Sequence, residues 1–86
     1  MKTNDQFNIY DLNGERICYG NMTDFDIFYL YNNDRIYNSY GVFHSKNNFS
    51  IYNLNGERTS YGIMTGATDF SIYNLDGEQI SYGISQ

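Results

Sequence analysis

Residues 49–69 read FSIYNLNGERTSYGIMTGATD, and the same pattern recurs from residue 70 as FSIYNLDGEQISYGISQ and from residue 7 as FNIYDLNGERICYGNMTDFDI. Between them, residues 28–48 read FYLYNNDRIYNSYGVFHSKNN, with the spacing kept and the middle altered. The Tyr-Gly pairs at Tyr19-Gly20, Tyr40-Gly41, Tyr61-Gly62 and Tyr82-Gly83 each follow the last by 21 residues, with no insertion or deletion. A fixed period of that length is an internal repeat. The 86 residues therefore read as a single repeat domain, 1–86, with units at about 7–27, 28–48, 49–69 and 70–86. Unit two is the degenerate copy, because Asp34-Arg35 stands where the others carry Asn13-Gly14, Asn55-Gly56 and Asp76-Gly77.

Within a unit, Phe-x-Ile before the turn and Tyr-Gly-Ile after it alternate with period two and are rich in aromatic and β-branched residues, so each unit is predicted to be a β-hairpin. Two turns fit. If Asn55-Gly56 alone forms a two-residue turn, Phe49 faces Gly62 and Ile51 faces Ser60, and both faces are mixed. If Leu54-Asn55-Gly56 forms a three-residue loop with Gly56 in the left-handed position, Phe49 faces Tyr61 and Ile51 faces Thr59. The second reading is preferred because it collects Phe49, Ile51, Tyr61 and Ile63, and in the last unit Phe70, Ile72, Ile80, Tyr82 and Ile84, on one dry face. The opposite face then carries Tyr10, Tyr31, Tyr52 and Tyr73 among Ser50, Ser60, Ser71 and Ser81.

A lone hairpin is marginal in water, so four of them must bury their Phe and Ile faces together. The expected class is all-β, with four tandem 21-residue hairpins stacked as an open spiral. The alternative is a closed eight-strand meander barrel. The gapless spacing favours the stack, since a constant step keeps like side chains in columns. Open strand edges in a chain with no proline and five Lys and Arg would invite self-association, as a dimer or a fibre.

Ten acidic against five basic side chains give a net charge of −5 and a pI near 4.4. That balance argues against nucleic acid, anionic membranes and phosphate ligands as partners, and leaves the basic surface of another protein. Cys18 is the single cysteine, which excludes an intrachain disulfide and a multi-thiolate zinc site. The polar first residues carry no signal-peptide pattern, so cytoplasmic is the default localisation.

Catalytic chemistry finds little footing. His44, the only histidine, falls in the connection after unit two and reads as a solvent-facing loop residue. Cys18 fills the column of Ser39, Ser60 and Ser81 and reads as a small side chain beside tyrosine. Glu15, Glu57 and Glu78 follow the turns, but each turn offers about three oxygens where calcium needs six or more. No catalytic residue, metal or cofactor is expected. Gly14, Gly56 and Gly77 are read as structural turn residues. The column of Tyr10, Tyr31, Tyr52 and Tyr73, set among Ser and Asn, has the composition of a binding face: rigid amphipathic rings with adaptable polar neighbours.

The stretch from Tyr52 to Gly62 resembles the Y-x-x-N-G-x-x-x-S-x-G core of MORN-type hairpin repeats, and recurs at Tyr10 to Gly20 and Tyr73 to Gly83. Met64 to Gly66 is similar to a segment of choline-binding and toxin cell-wall-binding hairpins. Either resemblance implies a binding or scaffolding module. The expected function is thus a non-enzymatic repeat protein that binds a protein partner or itself. A glycan or cell-wall-binding repeat is the alternative, and a small acidic inhibitor of a basic or nucleic-acid-binding protein is the third class.

Overall fold

The computed structural model describes residues 5–23 and 26–85. The described residues form eight strands: β1 (Gln6–Asp11), β2 (Arg16–Met22), β3 (Ile27–Asn32), β4 (Tyr37–Phe43), β5 (Asn48–Asn53), β6 (Arg58–Met64), β7 (Asp69–Asn74) and β8 (Gln79–Ser85). Each strand pairs antiparallel with the next, and β8 pairs with β1, so the meander closes into a barrel. Of the two closures, the barrel forms and the open spiral does not. The closing seam repeats the internal ones: Tyr10 faces Tyr82 and Ile9 faces Gly83, as Tyr31 faces Tyr19 and Leu30 faces Gly20. A constant step per unit can be a constant rotation, and four equal rotations bring the last unit back to the first.

The turn is the three-residue loop. Asn53 N donates to Glu57 O at 2.9 Å, Gly56 N to Asn53 O at 3.0 Å, and Gly56 has φ 83°. Gly14 and Gly77 sit at φ 87° and 88°, a left-handed conformation that favours glycine. The side chain before the loop holds it shut, since Asn53 Oδ1 accepts from Asn55 N and Glu57 N, both at 3.0 Å. Asp11, Asn32 and Asn74 do the same in their units. Unit two therefore turns without its glycine: Asn32 keeps the clamp, and Arg35 adopts φ 68° in glycine's place. A non-glycine residue there costs about 1 kcal/mol.

The cross-strand pairing expected of that loop is corrected one step further along. Tyr52 faces Arg58, but Ile51 faces Ser60 and Phe49 faces Gly62, so Thr59 bulges out of the ladder. Ile17, Asn38 and Ile80 are bypassed in the same way. Ile17, Ile63, Ile80 and Ile84 consequently lie exposed instead of joining a dry face with the phenylalanines. Tyr61 and Tyr82 stack with other tyrosines outside the core, and Ser60 and Ser81, expected beside the tyrosine column, are buried.

The second bulge is selected by packing. It sets each Phe ring over the glycine of a Tyr-Gly pair, where a Cβ on Gly41, Gly62 or Gly83 would overlap the ring of Phe28, Phe49 or Phe70. The four rings form a closed pinwheel with centroid separations of 5.4 Å (Phe7–Phe28), 5.3 Å (Phe28–Phe49), 5.4 Å (Phe49–Phe70) and 5.6 Å (Phe7–Phe70), each pair edge to face. Such pairs contribute about 0.5–1.5 kcal/mol each beyond burial of area. Ile9, Leu30, Ile51 and Ile72 form the next buried layer, and Met22, with the partly buried Phe43 and Met64, packs on the same core. In the Phe and Ile/Leu layers the odd-numbered strands supply the bulk and the even-numbered strands the Gly, Ser and Cys that make room for it, which is how a narrow eight-strand barrel fills.

Candidate functional site

The tyrosines of the expected binding face are all half-buried, and the barrel distributes them around its circumference instead of collecting them. Each stacks on the tyrosine of the preceding unit's Tyr-Gly pair: Tyr31 on Tyr19 at 5.5 Å, Tyr52 on Tyr40 at 5.3 Å, Tyr73 on Tyr61 at 5.4 Å, and Tyr10 on Tyr82 at 5.4 Å across the closure. The rings lie within about a quarter of a right angle of parallel, with interplanar angles from 15° to 22°. Directly opposed aromatic side chains of this kind tie neighbouring strands together. The column marks the seams between units, and its rings are engaged with one another on one side. Arg16 and Arg58 cap two of these stacks, with guanidinium carbons 5.3 Å from the Tyr19 centroid and 5.4 Å from that of Tyr61.

The outer surface departs from fourfold symmetry at unit two. Tyr29 occupies the place of Asn8, Ser50 and Ser71, and Tyr37 the place of Arg16, Arg58 and Gln79. Their rings meet nearly at right angles, 5.4 Å apart and 87° between planes, and Tyr37 also leans on Tyr31 at 6.0 Å and 51°. Tyr29 is 36 % and Tyr37 40 % exposed. Two shallow grooves flank the pair. One, of about 360 Å³, lies between Tyr29, Tyr31 and Tyr37. The other, of about 270 Å³, is lined by Ile27, Tyr29, Tyr37, Tyr40 and Val42. The Tyr37 hydroxyl is pushed above its ordinary value by loss of solvent, and further by Tyr29, Tyr40 and Tyr31 beside it. Neither Tyr29 nor Tyr37 was reached from the tyrosine column. The signal was present as two column positions where polar residues give way to tyrosine in one unit alone.

The remaining candidates resolve into structural parts. His44 Nε2 lies 2.7 Å from Ser50 Oγ, to which Arg58 Nε also donates at 3.0 Å. His44 is exposed as a residue, but its ring is engaged, and Ser50 at 1 % exposure is sealed beneath both partners. The trio fastens the β4–β5 connection to the outer face and offers no accessible hydroxyl. Burial pushes the Cys18 thiol up to about 11, against a smaller lowering by Arg16, so it is a protonated, weakly nucleophilic group at neutral pH. Glu57 and Glu78 each accept from the side-chain amide of Asn53 or Asn74 at 3.2 Å. These carboxylates brace their turns. Among the described residues, no three His, Cys, Asp or Glu converge as a metal site. Comparison with protein families, with curated proteins and with solved structures found no match to this chain.

Proposed function

We propose that the protein is a non-enzymatic β-barrel binding module, and that the tyrosine surface of unit two receives a partner protein presenting basic side chains. Closure of β8 on β1 leaves no strand edge in the sheet for another chain to extend, so recognition runs through side chains. The observation that carries the reading is the confinement of large exposed tyrosines outside the fourfold pattern to one patch. All four units keep the core phenylalanine and the glycine beneath its ring, whereas Tyr29 and Tyr37 stand where the other units carry polar residues and take no part in the core. Exposed tyrosines supply broad contact area at small cost in side-chain entropy, and their faces attract cations. The chain's net charge of −5 favours a basic partner. The likeness of Tyr52 to Gly62 to MORN-type hairpins points to the same class of function.

The repeats provide the control. Tyr29→Ser with Tyr37→Arg turns this surface into that of unit three and leaves the interior untouched. Affinity capture with native and substituted barrels, followed by titration with the purified partner, should show at least about a tenfold loss of affinity for the substituted barrel. Added salt should weaken the native complex. Equal binding by the two proteins overturns the reading. A glycan is the second reading, favoured by the right-angled corner of Tyr29 and Tyr37 over a groove of about 360 Å³. Calorimetric binding of a saccharide that the same double substitution abolishes would select it.

A further inference from the structure

The left-handed Arg35 stands in a turn whose three counterparts are glycine. Asn33, two residues earlier, replaces the exposed leucine of the other units, Leu12, Leu54 and Leu75. Both changes converge on Arg16 of the neighbouring unit. Asn33 Oδ1 accepts from Arg16 Nε at 3.0 Å, and Asn33 Nδ2 donates back to Arg16 O at 2.9 Å. Asn8 Oδ1 takes a further bond from Arg16 Nη1 at 3.3 Å, and the guanidinium rests on the Tyr19 ring. Arg16 is thus fixed by two neutral amides and an aromatic face, which set its direction without neutralising its charge. Arg35 lines the same cleft, a space of about 280 Å³ bounded also by Gln6, Phe7, Asn8, Tyr19 and Gly20.

We infer that this cleft is a binding site for an oxyanion of the phosphate type, held between the guanidiniums of Arg16 and Arg35. A guanidinium carries five N–H donors in a planar fork suited to two oxygens at once. Arg16 commits Nε and one Nη1 hydrogen to the amides of Asn33 and Asn8, and its remaining N–H groups have no hydrogen-bond partner among the described residues. Two like charges facing one cleft repel each other until an anion lies between them, and the strained backbone of Arg35 is retained where glycine would relieve it. A cost in the free protein that an oxyanion offsets explains both features. The net acidity of the chain repels anions at long range, but that field is screened within about 10 Å at moderate salt, while the paired forks act at contact. The cleft exceeds the volume of a bare phosphate, and Tyr19 lies along it, so the oxyanion can be free or borne on an organic group. The site is separate from the tyrosine grooves and does not depend on their having a protein partner.

Arg35→Gly is the informative variant, since it restores the residue of the other three turns and relieves the left-handed strain. The expected result is a protein that unfolds at a higher temperature than the native one in the absence of phosphate. Inorganic phosphate should then raise the melting temperature of the native barrel and leave that of Arg35→Gly unchanged, and sodium chloride of matched ionic strength should not reproduce the rise. Backbone amide shifts on phosphate titration should map to Gln6, Asn8, Arg16 and Arg35, with the affinity weakened about tenfold or more in the variant. Phenyl phosphate binding more tightly than inorganic phosphate assigns the oxyanion to an organic carrier, and equal affinity assigns it to the free ion. An equal phosphate effect in native protein and Arg35→Gly, or an equal effect of chloride, overturns the inference.

Discussion

Units two and three are adjacent copies of one hairpin with closely similar interiors, differing in Leu30 for Ile51 and Phe43 for Met64, and with different exteriors. Inside, Phe28 and Phe49 each lie over the glycine of a Tyr-Gly pair, and Leu30 and Ile51 each face a serine. Outside, Ser50 and Arg58 of unit three bond each other, where unit two places Tyr29 against Tyr37. The contrast separates two demands on one sequence. Residues that let a hairpin take a quarter of the barrel are repeated, and residues free of that duty differ between copies. Unit two concentrates its differences on one tyrosine surface and on the cleft beside Arg16.

If the interiors are equivalent, deleting a pinwheel ring should hurt either unit alike. Phe28→Ala and Phe49→Ala should each lower the stability by about 3–5 kcal/mol, enough to unfold much of a small domain whose total is about 5–15 kcal/mol. Urea denaturation followed by circular dichroism measures it. A difference of more than about 1 kcal/mol between the two would break the comparison, because it would show the pinwheel to be unequal around its ring.

The turns offer a sharper version. Asn32→Ala and Asn53→Ala each remove an oxygen that accepts two backbone N–H groups, at 2.9 and 3.1 Å in unit two and at 3.0 Å twice in unit three. A loss of about 1–2 kcal/mol is expected. Unit two should lose more, because Asn32 works there without the glycine at the third loop position, while the further bond that Asn53→Ala removes, from Asn53 Nδ2 to Glu57 Oε1, is exposed and contributes little. Equal losses in the same denaturation experiment would show that the clamp acts independently of its loop.

How far these features were legible follows from the same residues. Repeat length, hairpins, the three-residue loop and Gly56 in the left-handed conformation could be read from spacing and turn chemistry, because those are local. The bulge at Thr59 could not. It is chosen by the ring of Phe49 settling on Gly62, a contact that becomes favourable once neighbouring hairpins enclose it. Phe49 opposite Gly62 was available as a pairing, but a single hairpin judged alone favours uniform faces, whereas a barrel favours large side chains opposite small ones. The closure was open for a related reason, since constant spacing fixes equal steps and leaves their curvature to the packing of Phe and Gly. Tyr29 and Tyr37 stood in plain view as departures from their columns. Reading down a column finds what the units share, and those two residues belong to what they do not.

A smaller effect separates Arg35 from Gly56. Arg35→Gly should stabilise the barrel by about 1 kcal/mol, and Gly56→Arg should destabilise it by a similar amount, since each substitution exchanges glycine and a side chain at the same left-handed loop position. Thermal unfolding in phosphate-free buffer reads both changes, and matching signs in the two variants would show that strain at the loop is not the governing term.

The smallest difference lies between units one and two at the position opposite Ile9 and Leu30, where Cys18 and Ser39 stand. Burial raises the Cys18 thiol from its ordinary value near 9.0 to about 11, so the folded state holds that proton more tightly than the unfolded chain does. The stabilising contribution is complete below about pH 9 and is lost as the pH climbs towards 11, because the unfolded chain ionises first. The thiol is only partly buried, and solvent screening reduces the effect to roughly a few tenths of a kcal/mol near pH 9.5. Cys18→Ser substitutes the residue of the other three units and removes this titration. The difference in stability between native protein and Cys18→Ser should therefore shrink from about pH 8.5 to 10 if the native protein is the more stable, and widen if it is the less stable, always by loss on the native side. A difference that stays flat across that range would mean that Cys18 meets solvent as freely in the barrel as in the unfolded chain, and unit one would then lack the dry layer shared by Ser60 and Ser81.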